Sequence, residues 1–388
     1  AYNLMNGIGL MLGVGAATQY TIARAQNDRR QADSVFTHAA ALGLLLGLLF
    51  LLGGLCFAKP LAGLLGADAQ TLGMTTTYLR MLWCFGPFFV MNNVLLAFTR
   101  NDGAPTVAMC GMIAGSLFNI VFDYIFIFPC GLGMFGAALA TGFSPFVSIL
   151  VLLTHLRRPS RGFHLVKTPL RVSRVPSLCA PGLSSLIGEI ASGVVLLLFN
   201  LVLLRLSGNT GVAAYGVIMY AAFLFVAVFV GYAVGSAPIV SFHYGARNHA
   251  EVHNLYQKSL RLIAVVAVTM TAVSMVLIPY VARIFVGYDA QLLALTNRAF
   301  RLYALSFLIM GFNVYASSFF TALGDGVTSA LISFLRTLVF QLAALLLLPA
   351  LWGIDGVWLA VTAAELAALA VSVYMFVTKD QKFHYRHV

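Results

Sequence analysis

The stretch "NIVFDYIFIF" (119–128) sets an amide and a carboxylate four residues apart inside an otherwise apolar run. On a helix that spacing puts Asn119 and Asp123 on one face, a turn apart. At a rise of about 1.5 Å per residue, Asp123 lies roughly 8 Å and Asn119 roughly 14 Å in from the end of the apolar segment. The next apolar segment opens near Gly133 and carries Thr141 at a matching depth of roughly 12 Å. A short turn between two such helices can bring Thr141 opposite the other two. Carboxylate, amide oxygen and hydroxyl at one depth suit a small cation, or a carboxyl group that takes up and gives up a proton. The plainer alternative is a structural pair between Asp123 and Arg80, which lies near the end of the preceding apolar segment.

Three more ionisable residues lie deep in apolar segments: Glu189, Arg336 and Glu365. A charge at mid-bilayer costs about 2.5–3.5 kcal/mol on insertion scales, so each needs a partner or a purpose. Arg336 and Glu365 fall on the last two apolar segments at similar depth, which reads as a buried ion pair. Glu189 is at comparable depth; it either joins that pair or serves as a substrate or coupling acid. His243, His249 and His253 have no metal-ligand spacing and read as solvated loop residues. Cys56, Cys84, Cys110, Cys130 and Cys179 are scattered and read as reduced packing residues. The Met- and aromatic-rich run 217–229 fits either a greasy drug pocket or ordinary packing.

What must position these groups is a membrane bundle. The chain has 388 residues, 61% hydrophobic and 9% charged, with a mean hydropathy of +0.93. A soluble domain carries about 25% charged residues, so an all-α polytopic membrane protein is expected. Apolar segments of about the length that crosses a bilayer fall near 2–23, 35–58, 76–98, 105–128, 134–156, 179–205, 211–240, 259–284, 296–321, 327–349 and 353–377. The net charge of +11 comes from basic residues in short runs between these segments, as in loops facing an anionic leaflet, and not from a nucleic-acid surface. With the loop after the first span placed inside, sixteen Lys and Arg fall on that side and six on the other. That bias predicts a cytoplasmic C-terminus.

The chain also repeats itself. "ADAQTLGMTTTYLRML" (67–82) aligns with "YDAQLLALTNRAFRLY" (288–303), and "GMFGAALA" (133–140) with "GIDGVWLA" (353–360), at offsets of 221 and 220. Two like-oriented halves suit a carrier whose lobes rock against each other. In this register Arg80 has a mate in Arg301 while Asp123 aligns near apolar Ala344, so a structural Arg80–Asp123 pair would not recur. The span at 179–205 has no partner upstream, and we expect that the first helix of a six-plus-six protein is missing, leaving eleven spans. The expected divisions are an N-terminal lobe at 1–156, a basic cytoplasmic linker at 157–178, a C-terminal lobe at 179–378 and a tail at 379–388.

The runs "AFTRNDGAPTVAM" (97–109), "NIVFDYIFIF", "GMFGAALAT" (133–141), "PIVSFHYGA" (238–246) and "GIDGVWLA" followed by Glu365 resemble the multidrug and toxic compound extrusion (MATE) family, in its bacterial multidrug efflux branch. The resemblance covers essentially the whole chain. It implies a twelve-helix antiporter that works by alternating access and exports cationic, amphipathic drugs in exchange for H⁺ or Na⁺. No cofactor beyond the coupling ion and no metal beyond Na⁺ are implied, and a lipid-embedded monomer is expected. The family's cation site maps onto Asn119, Asp123 and Thr141, while Glu189 is similar to an acid that many members carry on their seventh helix. A further family acid lies on the first helix, which this sequence lacks.

Other readings are a lipid-linked oligosaccharide flippase of the same superfamily, a major-facilitator carrier and an intramembrane enzyme. The flippase would want a strongly cationic cavity for pyrophosphate, and this chain has one deep arginine. "NDRRQ" (27–31) lacks the glycines of the major-facilitator loop. No H-E-x-x-H or G-x-S-x-G spacing supports an enzyme.

Overall fold

The computed structural model describes residues 2–64, 70–156 and 162–385. Arg157, Arg158 and Arg161 of the expected linker, Arg386 of the tail and residues 67–69 of the first repeat lie outside them. Among the described residues there are helices and no strands. In chain order they are α1 (Tyr2–Ala25), α2 (Arg29–Leu64), α3 (Leu72–Cys84), α4 (Gly86–Asn101), α5 (Pro105–Ile127), α6 (Gly133–Leu156), the short α7 (Val175–Cys179), α8 (Leu183–Gly245), α9 (His249–Val286), α10 (Ala290–Ala304), α11 (Phe307–Ala322), α12 (Gly326–Phe334), α13 (Phe340–Trp352), α14 (Ile354–Thr378) and α15 (Asp380–Phe383).

Each expected span has its helix, with three refinements. The segments 76–98 and 296–321 are not straight rods: α3–α4 and α10–α11 bend by 48° and 47°. The segments 179–205 and 211–240 both lie on α8, which is broken at Gly208 by φ 60°, ψ −151°, a conformation only glycine reaches easily. Counting each bent pair once, nine described stretches are long and apolar enough to cross a bilayer. α1 falls short of that hydropathy because Asn3, Asn6, Gln19 and Arg24 interrupt it.

The chain packs into two compact units, Ala1–Leu186 and Ile187–Val388. The division falls just inside α8, and residues 162–178 belong to the first unit. Within each unit the repeat is written into the backbone. The two bends match, and so do three left-handed residues that end or join helices: Asn27 with Arg247, Gly103 with Gly324, and Gly133 with Gly353. Their offsets are 220, 221 and 220, as in the sequence repeat. The caps agree: Asp28 accepts from the Gln31 N–H at 2.9 Å at the start of α2, and Asn248 accepts from the Glu251 N–H at 3.1 Å at the start of α9.

The cores are aromatic and small-residue layers. In the first unit Tyr20, Phe36, Phe98 and Phe163 pack together, and Met5, Phe50, Trp83 and Phe89 form a second cluster. In the second unit Phe199, Tyr215, Phe300 and Trp358 form one cluster, and Phe319, Phe320, Phe376 and Tyr385 another. Large apolar side chains such as Ile120, Tyr124, Phe223 and Leu224 stay exposed, as lipid contact permits. The run 217–229 therefore divides its residues between core (Ile218, Phe229) and open face (Tyr220, Phe223).

Candidate functional site

α5 and α6 form an antiparallel hairpin whose backbones approach closely at Gly115. A Cβ there would sit 2.9 Å from the Ser144 carbonyl oxygen, and the Ser144 hydroxyl donates to the Gly115 carbonyl at 2.9 Å. One turn farther along, the same close approach lets Asn119 Nδ2 donate to Thr141 Oγ1 at 3.4 Å. The Asn119 side chain also hydrogen-bonds the Asp123 carboxyl group. Asn119, Asp123 and Thr141, singled out by spacing, are thus brought together, each half-buried. Asp123 Oδ1 is closed off from solvent and accepts no hydrogen bond. Among the described residues no base forms an ion pair with Asp123, and Arg80 sits exposed on α3.

In the second unit Arg336 and Glu365 meet. Arg336 Nε donates to Glu365 Oε1 at 2.9 Å and to Oε2 at 3.0 Å. Asn313 Nδ2 donates to Glu365 Oε2 at 2.7 Å and to the Glu365 carbonyl at 2.9 Å, and Ser372 Oγ donates to Asn313 Oδ1 at 2.8 Å. Glu365 is 1% exposed, so its carboxylate is held by protein donors alone. Arg336 lies on a single π-helical turn, Leu335–Val339, between α12 and α13; such a turn re-aims a side chain within a helix. Glu189 lies half-buried on α8.

Two further polar clusters lie outside the residues singled out by spacing. Asp102, in the "RNDG" turn after α4, has a side chain with no solvent exposure. It accepts from the Tyr20 hydroxyl at 2.6 Å, pairs with Arg24, and lies 2.7 Å from His155 Nε2 at the end of α6. A charged turn residue reads as solvated, and its neighbours Arg100, Asn101 and Gly103 give no cue to its distant partners. In the second unit Thr321, Ser329, Ser317 and Ser333 form a continuous hydroxyl ladder between α11 and α12 with links of 2.7, 3.0 and 2.8 Å. Among the histidines, His253 is not a solvated loop residue: it lies on α9 with Nδ1 2.8 Å from the Tyr385 carbonyl. Cys56, Cys110 and Cys130 are exposed and so are not packing residues. Among the described residues no group of His, Cys, Asp and Glu could hold a metal ion.

The geometry is that of a helical bundle with an unneutralised acid in one unit and a closed ionic network in the other. The sequence model of the MatE family matches residues 3–125 and 185–345. The multidrug export protein MepA of Staphylococcus saprophyticus is 25% identical over 386 residues, covering 98% of this chain and 84% of that protein. MepA of Staphylococcus aureus is 25% identical over the same shares. A crystal structure of MATE in complex with MaL6 superposes with a TM-score of 0.91 at 24% identity, covering 99% of this chain and 87% of that one. A multidrug resistance MATE family transporter in its outward-facing conformation superposes at 0.90, also at 24% identity, over 98% and 86%. The chain belongs to the MatE family of multidrug efflux transporters, multi-pass membrane proteins that move small molecules and are not enzymes.

Proposed function

We propose that this protein is a cation-coupled antiporter of the bacterial inner membrane that exports cationic, amphipathic drugs by alternating access, with Asp123, Asn119 and Thr141 as its coupling site. The observation that carries this reading is the state of Asp123: a carboxyl oxygen shut away from water, bonded to no donor and paired with no base. A carboxylate in apolar surroundings without a counter-charge gains much from taking up a cation. If that gain differs between the two alternating states, binding biases their equilibrium, as coupling requires.

Asn119 turns its N–H donors toward Thr141 and Asp123. A proton can load Asp123 Oδ1 with that arrangement intact. A Na⁺ ion would need the Asn119 amide to rotate and present its oxygen. Proton coupling is therefore the reading the amide geometry favours, with Na⁺ as the second. The homologues named as multidrug export proteins support drugs as cargo.

The test is dye efflux from proteoliposomes under imposed pH and Na⁺ gradients. Asp123→Asn keeps the size of the side chain and removes its charge. It should abolish gradient-driven efflux while leaving expression and unfolding behaviour as in the parent protein. Undiminished efflux by this variant under both gradients would remove Asp123 from the mechanism.

A further inference from the structure

The basic segment that links the halves in sequence is docked. Residues 162–171 run without helix across the first turns of α2. The backbone N–H of His164 donates to Asp33 Oδ1 at 3.0 Å, that of Val166 to Thr37 Oγ1 at 3.0 Å, and that of Arg171 to His38 Nε2 at 3.2 Å. Asp33 and Thr37 are one helical turn apart, so the segment lies along one face of α2. Because His38 Nε2 accepts, its Nδ1 carries the proton and donates to the Ser34 carbonyl at 2.7 Å. Phe163 closes one end, buried with its ring centroid 4.3 Å from that of Phe36.

Between this strap and α2 lies a cavity of about 390 Å³ lined by Arg30, Lys167, Arg174, Ser34, Thr168 and Asp28, among others. Its three cations face one carboxylate, and that carboxylate already caps α2 through the Gln31 N–H. Among the described residues none of the three cations makes an ion pair. Ser34 and Thr168 meet at 3.3 Å, and Arg174 Nη1 donates to Ser34 Oγ at 3.1 Å, which fixes one guanidinium against the wall. Two guanidinium groups, an ammonium and two hydroxyls around one cavity match the oxygens and charge of a phosphate group. The cavity sits at the end of a membrane-spanning helix, the level at which phospholipid headgroups lie, and basic pockets between such helices bind anionic headgroups.

We propose that this cavity is a binding site for a phosphate group, held by Arg30, Lys167 and Arg174 and supplied by an anionic phospholipid or by free phosphate. Occupancy ties the strap to α2 and does not depend on the coupling role of Asp123.

The full chain in neutral detergent is titrated with short-chain phosphatidylglycerol, short-chain phosphatidylcholine and inorganic phosphate, with bound adducts read by native mass spectrometry. Each basic residue near an anionic lipid surface contributes about fivefold in affinity. The exposed pair R30Q/K167Q should therefore lose about 25-fold, whereas K258Q/R261Q, an equal loss of charge on α9, should stay within about twofold. T168E, which puts a carboxylate into the cavity, should abolish binding in a protein that unfolds like the parent. Saturable phosphatidylglycerol binding with phosphate silent identifies the lipid as the source; competition by phosphate identifies the free anion. Equal losses in the two double variants, unchanged binding by T168E, or no saturable binding of either anion would overturn the proposal.

Discussion

Replacing either member of the Arg336–Glu365 pair should destabilise the protein far more than replacing both. Glu365 is 1% exposed and takes all its hydrogen bonds from Arg336 Nε and Asn313 Nδ2. Arg336→Leu leaves a buried carboxylate with one neutral donor, and removing one partner of a buried pair costs about 3–5 kcal/mol. Glu365→Leu leaves the guanidinium behind and also frees one N–H of Asn313. The guanidinium is 16% exposed and can find water, so the cost sits near the lower end, about 3 kcal/mol, plus about 1 kcal/mol for the amide. The double variant R336L/E365L buries no charge and keeps the Asn313 bond to the Glu365 backbone carbonyl at 2.9 Å, since that acceptor belongs to the main chain. It should fall within about 1–2 kcal/mol of the parent. Equilibrium unfolding in mixed micelles gives the four free energies of the cycle, and the expected coupling, the summed single losses less that of the double, is about 5–8 kcal/mol. Additive losses, or single variants as stable as the parent, would show that the pair does not hold the second unit together.

Two further perturbations test the first unit. Gly115→Val puts a branched side chain where a Cβ alone would meet the Ser144 carbonyl at 2.9 Å; the resulting strain of about 1–3 kcal/mol should part α5 from α6 and lower gradient-driven efflux at least tenfold with Asp123 intact. Gly115→Ala, measured beside it in the same vesicle assay, should fall between the two. Asp102→Asn removes the charge shared by Arg24 and His155 and should cost about 3 kcal/mol of unfolding free energy, the low end for a buried pair because Arg24 is one-third exposed; a loss below about 0.5 kcal/mol in micelle unfolding would contradict the packing described for that cluster.

Local spacing was enough to place Asn119, Asp123 and Thr141 side by side. All three lie on two consecutive helices, where a turn count fixes depth and face. Arg336 and Glu365 were legible for the same reason, as deep charges on neighbouring spans. Asn313 was not, because a neutral amide carries little penalty that would flag it, and its partner lies 52 residues away. Asp102 looked like a turn residue because its partners are 78 and 53 residues distant. The strap was least visible. Gly, Pro and basic residues suggest a free linker, but its contacts run through backbone N–H groups to side chains on α2, and hydrophobic periodicity is blind to those. The repeat was readable from apolar motifs, yet the left-handed pair Asn27 and Arg247 involves no glycine and could not be foreseen.

These distinctions bear on the coupling role proposed for Asp123. The described acids of the first unit are Asp28, Asp33, Asp102 and Asp123. Asp28 takes a backbone N–H at the start of its own helix, and Asp33 takes one from the strap. Asp102 is neutralised by Arg24 and lies against His155. Each of these three has a donor whose geometry the fold fixes, so a cation arriving there would have to displace a bond that holds the structure. Asp123 has neither a base nor a backbone N–H, only the side-chain amide of Asn119. Taking up a proton at its free oxygen breaks nothing. Among these four carboxyl groups, that makes Asp123 the one whose charge can change without breaking a bond the fold depends on, which is what the proposed coupling role requires.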